Sequence, residues 1–431
     1  MSNSFWNRAN KSIALGNMFL SKHPNRYLPG KWPTYYKKAK GCKITALDNK
    51  TYTDFSMMGI GTNVLGYANK NVDNAVKKVI TTSTMSTLNC FEEVELAEQL
   101  KSIHKWADKV HFTRTGGEAN AVAIRLARAA SGKNNIAVCG YHGWHDWYLA
   151  TNLNNKNNLN QHLLKGITTK GVSSSLKNTT FPFYYNDFHS LEKIVSKFNI
   201  GVIKMECVRN IQPKDNFLKK VRDFANKKNL VLIFDECTTG FRQTLGGIHQ
   251  SYGVIPDIAI FGKALSNGYP LNAVIGKTKI MKEAKNSFIS STFWSDRIGP
   301  TAAIASIKEM KRIKSWEIVK QKGQYIKNKL SKLAIKKELD IAITGIDSLI
   351  NFSFGKNDRI YKGLITDKML SKNFLATNSI YVSISHNKAI IDEYFYELEK
   401  VFNIIKKIED GDSIKRYVNF KLPSEGFERL N

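Results

Sequence analysis

Short apolar runs separated by amphipathic stretches dominate the middle of the chain. NNIAVCG, NIGVIKMECV, LVLIFDE, DIAIFGKAL and NAVIGK each read as a strand, while LEKIVSKF and FLKKVRDFANKKN carry helical spacing. Strands that are apolar throughout, alternating with such helices, predict an α/β fold with a mostly parallel central sheet and helices on both faces. Upstream, GCKITALDNKTYTDFS (41–56) alternates around Asp48 and Asn49 and predicts a hairpin. Helical spacing follows at 72–80 and at 92–104, where Val94, Leu96, Ala97 and Leu100 form the expected buried stripe. ANAVAIRLARAASG predicts a strong helix ending at Gly132. Beyond Pro300, TAAIASIKEMKRI predicts another helix. GIDSLINFSF, a helical stretch near 364–370, IYVSISH and IDEYFYELEKVFNIIKKI then predict a smaller α+β lobe. The expected division is a segment 1–66 contributing to the small lobe, a large domain 67–305 and a C-terminal small domain 306–431. Residues 151–180, rich in Asn, Gly and Ser, have little periodicity and read equally as an active-site flap or as a segment without a role.

At 431 residues, with 42% hydrophobic and 23% charged positions, the chain has ample material for a core, and the disordered and disulfide-scaffold classes are excluded. Lys and Arg number 65 against 36 Asp and Glu, a net charge of +29 that raises nucleic acid as a partner. The lysines are scattered among asparagines with no arginine-rich or aromatic-interleaved stripe, so a solvated surface is the better reading, and no specific nucleic acid is expected. Cys42, Cys90, Cys139, Cys207 and Cys237 are odd in number and lack a CxxC spacing, which points to reduced thiols. IALGNMFL is interrupted by Gly16 and Asn17, and no run is long enough to span a bilayer, so no membrane partner and a cytoplasmic location are expected.

The chemistry concentrates at strand ends. Asp235 closes LVLIFD and Lys263 follows DIAIFG; an acid and an amine delivered in this way suit pyridoxal phosphate, PLP. The carboxylate would hold the pyridine nitrogen protonated, and the amine would form a Schiff base with the aldehyde. Thr115, Gly116 and Gly117, ahead of a helix, form a candidate phosphate turn, although TGGE is also an ordinary capped helix start. In GYHGWH, Tyr141 is a candidate ring-stacking residue. His142 and His145 read as packing or positioning groups, His142 beside the cofactor, and no metal site is expected. Glu206, at the end of VIKME, reads either as an acid beside the cofactor's phenolic oxygen or as a surface acid.

RTGGEANAVAIRLARAASG, CGYHGWHDWY, LIFDECTTGFR and FGKALSNGYP together resemble the class III, fold-type I PLP aminotransferases, within them the glutamate-1-semialdehyde aminomutase-like branch. The resemblance runs from GCKITALDNKTYTDF to ISSTFWSDRIGPTAAIAS, with a weaker continuation in IYVSISHNKAIID. It implies Lys263 as Schiff-base lysine, Asp235 as pyridinium partner, Tyr141 as stacking residue, Thr115–Gly117 as phosphate turn and Glu206 as the acid on the oxygen face, with Asn210 nearby. Thr292 matches a threonine that reaches the neighbouring subunit's phosphate, which implies a homodimer with composite active sites. The chain departs from the aminomutase pattern where SGTEA becomes TGGEA, losing a hydroxyl at Gly117, and where EPV becomes ECV with Cys207. STFWSDRIGP makes a bulkier lining that includes Trp294, and IYVSISH carries no arginine for a substrate carboxylate. The expected activity is transfer from a small-molecule amino donor to a carbonyl acceptor through Lys263 and pyridoxamine phosphate. The FWSDRIGP variant is similar to enzymes of surface-polysaccharide or small-metabolite biosynthesis. The rivals are intramolecular transfer, as in an aminomutase, and a basic non-catalytic binding module.

Overall fold

The computed structural model describes residues 2–162 and 165–424. They form two compact units, Lys70–Trp316 and Met1–Asn69 with Glu317–Asn431. The larger unit is built on a seven-stranded sheet: β1 (Lys109–Thr113), β2 (Asn135–Cys139), β3 (Thr180–Pro182), β4 (Ile200–Glu206), β5 (Val231–Asp235), β6 (Ile258–Phe261) and β7 (Asn272–Gly276), in the order β1-β7-β6-β5-β4-β2-β3. From β3 to β6 every neighbouring pair is parallel, whereas β7 runs antiparallel to both β6 and β1. Every residue of β4, β5, β6 and β7 is buried, as expected of strands covered on both faces.

Six longer helices belong to this unit: α1 (Lys70–Ile80), α2 (Glu92–Ile103), α3 (Gly116–Ser131), α4 (Phe188–Lys197), α5 (Phe217–Lys227) and α6 (Ile298–Ile313). The core of one face is Ala119, Val122, Ala123 and Leu126 of α3 against Val138, Val202, Ile233, Ile260 and Val274 of the strands. Each such Val, Ile or Leu contributes about 1.5–3 kcal/mol when fully buried, enough in sum to carry some costly polar groups. Helix α6 packs on α1 and α2, which keeps the chain in the larger unit as far as Trp316.

The expected stripe of α2 needs correction. Leu96 and Leu100 are buried, but Val94 is 59% exposed. The inward row is Glu92, Leu96 and Leu100, four residues apart, because Arg297 pairs with Glu92 at 2.7 Å and makes its burial tolerable. In 151–180 the described residues are tied down by asparagine side chains. Asn152 accepts from the Leu159 N–H and donates to the Ile167 carbonyl, and Asn158 donates to the Thr151 carbonyl.

The smaller unit contains the expected hairpin, Lys43–Ala46 paired antiparallel with Thr51–Asp54, in a four-stranded sheet with Tyr36–Lys40 and Phe374–Leu375. A three-stranded antiparallel sheet (Ala342–Ile346, Leu349–Ser353, Ser379–Tyr381) lies in the same unit, with the helices Ser2–Ser12, Asp358–Leu370 and Lys388–Glu409 and most of Ser315–Lys336. Sequence segments from both chain ends therefore make one α+β lobe. Among the described residues no helix is long and apolar enough to cross a membrane.

Candidate active site

Strands β5 and β6 are parallel neighbours with Asp235 in register with Ile260, so Asp235 and Lys263 leave the sheet at the same edge. Asp235 is 5% exposed. Its Oδ2 lies 3.0 Å from His142 Nδ1 and 3.5 Å from Lys204 Nζ, and its Oδ1 accepts the Cys237 N–H at 3.2 Å. Burial opposes ionisation, but Lys204, then the His142 bond, then the Cys237 N–H outweigh it and hold the carboxyl far below its ordinary value. The pKa of His142 is lowered too, by burial first and Lys204 second. Its Nδ1 faces the Asp235 carboxylate and its Nε2 lies 3.2 Å from the Cys139 carbonyl, so both ring nitrogens meet acceptors.

Lys263 opens a 3-10 turn, Lys263–Ser266, with φ +47. A left-handed residue with a side chain costs on the order of 1–3 kcal/mol and persists only where its surroundings enforce it. Here Nζ donates to Thr238 Oγ1 at 2.9 Å, so the loop after Asp235 holds the amine that follows β6. Cys237 lies between the two groups. Its thiol is pushed well up, by burial first and then by Asp235, while Lys263 and Lys204 pull it back, so it feels all three charges.

Thr115 caps α3 in a full capping box. Its Oγ1 accepts the Glu118 N–H at 3.3 Å, and Glu118 Oε2 accepts the Thr115 N–H at 2.8 Å. The capped-helix reading of TGGE therefore holds, and it coexists with a ligand role, since Gly116 and Gly117 in the first turn have no intrahelical acceptor for their N–H groups. A Cβ on Gly117 would stand 2.6 Å from His145 Nε2. The place of the side chain missing from TGGEA is thus filled by His145.

Tyr141 is half-buried, and its N–H donates to Glu206 Oε2 at 3.1 Å. Glu206 is buried, not a surface acid, and its Oε1 lies 3.2 Å from Arg209 Nη1. Gly140 between them needs to be glycine: φ is +109, and a Cβ would meet Glu206 Oε2 at 2.7 Å. Thr292 and Asn210 are exposed on the single chain. Trp294 packs on the α3 core, its ring edge-on to His111 at 5.2 Å and its carbonyl held by Arg114. It shares a cleft with Glu118, Arg125, His145 and Phe288, on the flank of α3. Among the described residues no group of three or more His, Cys, Asp and Glu could hold a metal ion.

Lys204 and Thr238 escaped the sequence reading. Lys204 had a signal, a lone lysine inside an apolar strand predicted to lie in a covered sheet. Thr238 had none, because its contact depends on a loop fold. The ensemble fits pyridoxal phosphate: an ionised buried carboxylate for the ring nitrogen, an amine in the turn after the adjacent strand, and a helix start with a glycine too crowded for any side chain.

Comparison with known proteins bears on the family. The family model described as Aminotransferase class-III matches 28–379. The 3-aminobutyryl-CoA aminotransferase of Cloacimonas acidaminovorans (strain Evry) is 31% identical over 83% of this chain and 84% of its own. The glutamate-1-semialdehyde 2,1-aminomutase of Nitrosopumilus maritimus (strain SCM1) is 36% identical over 68% of this chain and 70% of its own. In fold, the chain is similar to the Sphingopyxis sp. MTA144 FumI protein in its PLP internal aldimine form, with TM-score 0.84, 21% identity and coverage of 96% and 98% of the two chains. An omega-transaminase from Sphaerobacter thermophilus gives TM-score 0.82 at 19% identity over 93% and 97%. A family match over most of the chain, on a fold shared with these transaminases, means that the chain belongs to the class-III aminotransferases and is a PLP-dependent enzyme of amino-group transfer.

Proposed function

We propose that the enzyme moves an amino group between two separate small molecules, with Lys263 as the covalent anchor of the coenzyme and as the base that shuttles the proton. The observation that carries this reading is the contact of Lys263 Nζ with Thr238 at 2.9 Å, in the turns that follow two neighbouring strands, one of them ending in an Asp235 held as its carboxylate. Bound PLP supplies an electron-withdrawing ring that stabilises charge at the carbon bearing the amine. Asp235 orients that ring through its nitrogen, in a charge-assisted bond of about 1.5–3 kcal/mol. Tyr141 covers one ring face, Glu206 meets the phenolic oxygen, and the first turn of α3 receives the phosphate. His142 serves as the group that aims Asp235.

Two copies of the chain complete the site. Leu88, Phe91 and Val94 are 81%, 60% and 59% exposed, an apolar run on the single chain that suits a second subunit, and Thr292 is exposed as a contribution to the neighbour's phosphate would require. The absence of an arginine from IYVSISH and the relative named for 3-aminobutyryl-CoA support a donor whose amine is not next to a free carboxylate. Borohydride treatment of the holoenzyme followed by peptide mapping tests the anchor: the coenzyme is expected on Lys263, and its recovery on another lysine refutes the assignment.

Intramolecular transfer is the second reading, favoured by the 36% identical aminomutase. Incubation with single amino donors separates the two. A donor that leaves a free keto product and converts the coenzyme to its amine form establishes intermolecular transfer, and isomerisation of one compound without keto release establishes the other.

A further inference from the structure

The side chain at 204 is the least expected in the larger unit. Lys204 sits mid-sheet on β4, in register with Val138 of β2 and Ile233 of β5, and all three are 0% exposed. Its ammonium makes no hydrogen bond among the described residues; the group it approaches is Asp235 Oδ2, at 3.5 Å. An apolar residue would fill that layer at no electrostatic cost, whereas a buried amine has to be offset by a partner. The remaining titratable groups that bear on it are His142 after β2, Glu206 at the end of β4 and Cys237 after β5.

We propose that Lys204 is the standing counter-cation of Asp235: it keeps that carboxylate charged and aimed before the coenzyme arrives, and afterwards competes with the ring nitrogen for it. The inference rests on the assignment of Asp235 to that nitrogen. One carboxylate then faces two bases that both want its proton-bearing partner role, in a region of low dielectric. Burial lowers the pKa of the Lys204 amine and Asp235 works against that shift; an aliphatic amine is intrinsically the stronger base, so with Asp235 beside it Lys204 keeps its proton and the ring nitrogen yields its own at lower pH than it would without Lys204. Lys204 is in this sense a positioning residue that tempers the electron demand of the ring.

The test uses holoenzyme loaded with PLP carrying 15N in the ring, whose resonance is followed against pH in the wild type, Lys204→Met and Asp235→Asn. In Lys204→Met the ring is expected to keep its proton to a pH higher by about one unit or more, a tenfold shift in the equilibrium. Coincident titrations in wild type and Lys204→Met overturn the inference. If Asp235→Asn also leaves the resonance unmoved, the assignment of Asp235 fails with it; if Asp235→Asn moves it, the competition alone is wrong.

The coenzyme-free proteins give a second readout. Lys204→Met is expected to lower the melting temperature and Lys204→Met/Asp235→Asn to recover most of the loss, because no buried charge is then left alone. Should the single variant fail to fold, folding of the double variant supports the pairing. A double variant that does no better than the single one overturns it.

Discussion

Glu236, the residue after Asp235, is fully buried, and its replacement by glutamine is expected to destabilise the protein by about 2–4 kcal/mol. The figure follows from the donors that converge on it. Oε1 accepts from the His249 N–H at 3.0 Å and lies 2.5 Å from His249 Nδ1, while Oε2 accepts from the Ile248 N–H at 2.5 Å and from Thr239 Oγ1 at 3.2 Å. Trp106 Nε1, which can only donate, points at His249 Nε2, so the imidazole is neutral and gives Nδ1–H to the carboxylate. A glutamine oriented to keep both His249 bonds turns its NH2 toward the Ile248 N–H. The Thr239 hydroxyl can rotate to accept, but the Ile248 donor is orphaned, at about 1–3 kcal/mol, and the two retained bonds each lose about 1 kcal/mol of charge assistance. Relief from burying a charge offsets part of this. Urea unfolding of the coenzyme-free protein at pH 7 measures the difference, and a loss below about 1 kcal/mol would refute this account of the loop.

The acid limb provides an internal control. Burial works against ionisation of Glu236, but His249 and the Ile248 N–H outweigh it and depress its pKa. A depressed carboxyl contributes stability that is present above its unfolded value, about 4.3, and is lost as pH falls through the folded value. That portion of the acid dependence should be missing from Glu236→Gln. Function should suffer too. Residues 236–249 form the loop that carries Thr238, and Thr238 holds Lys263, so the variant is expected to retain coenzyme less tightly.

Other substitutions probe separate parts of the site. Lys263→Ala should fold and melt close to wild type yet show no amino transfer; full activity in that variant sinks the anchor assignment. Thr115→Ala should cost about 0.5–2 kcal/mol in unfolding, the usual loss of a helix cap, and should weaken coenzyme binding if the same turn receives the phosphate. Gly140→Ala combines a left-handed φ with a 2.7 Å approach to Glu206 Oε2, so it should cost on the order of 1–3 kcal/mol and displace Glu206, seen as a change in the coenzyme's absorption band.

Periodicity alone made the parallel sheet, the 43–54 hairpin and helix α3 legible, because each is a local signal: runs of Val and Ile, a turn at Asp48 and Asn49, a cap at Thr115 and a left-handed Gly132 with φ +64. Where that reasoning fell short, the cause was a partner distant in sequence. Val94 looked buried by spacing, but the inward row is Glu92, Leu96 and Leu100, with Glu92 paired to the sequence-distant Arg297, and Val94 faces out. The 151–180 segment looked structureless because asparagine side chains, not a repeating backbone pattern, supply its hydrogen bonds. Trp294 read as pocket lining, and it does line a cleft on the flank of α3 while its ring also packs against the core.

Glu206, Asp235 and Glu236 cluster at the ends of two neighbouring strands, with Glu206 and Asp235 directly in register. Like charges so close repel one another unless each has its own compensating partners, and each does. Glu206 meets Arg209 and the Tyr141 N–H, Asp235 meets Lys204, His142 and the Cys237 N–H, and Glu236 meets the His249 ring and the N–H groups of 248 and 249. The compensation differs in kind, and the difference sorts the roles. Glu236 is saturated by donors and can only be structural. Asp235 retains acceptor capacity next to a cation that makes no hydrogen bond among the described residues, which leaves it able to take a second cationic donor from a ligand. Separation of these acids by their partners, rather than by distance, is what allows a carboxylate to stay charged at the bottom of a buried site, where on the reading proposed above it would meet a coenzyme nitrogen.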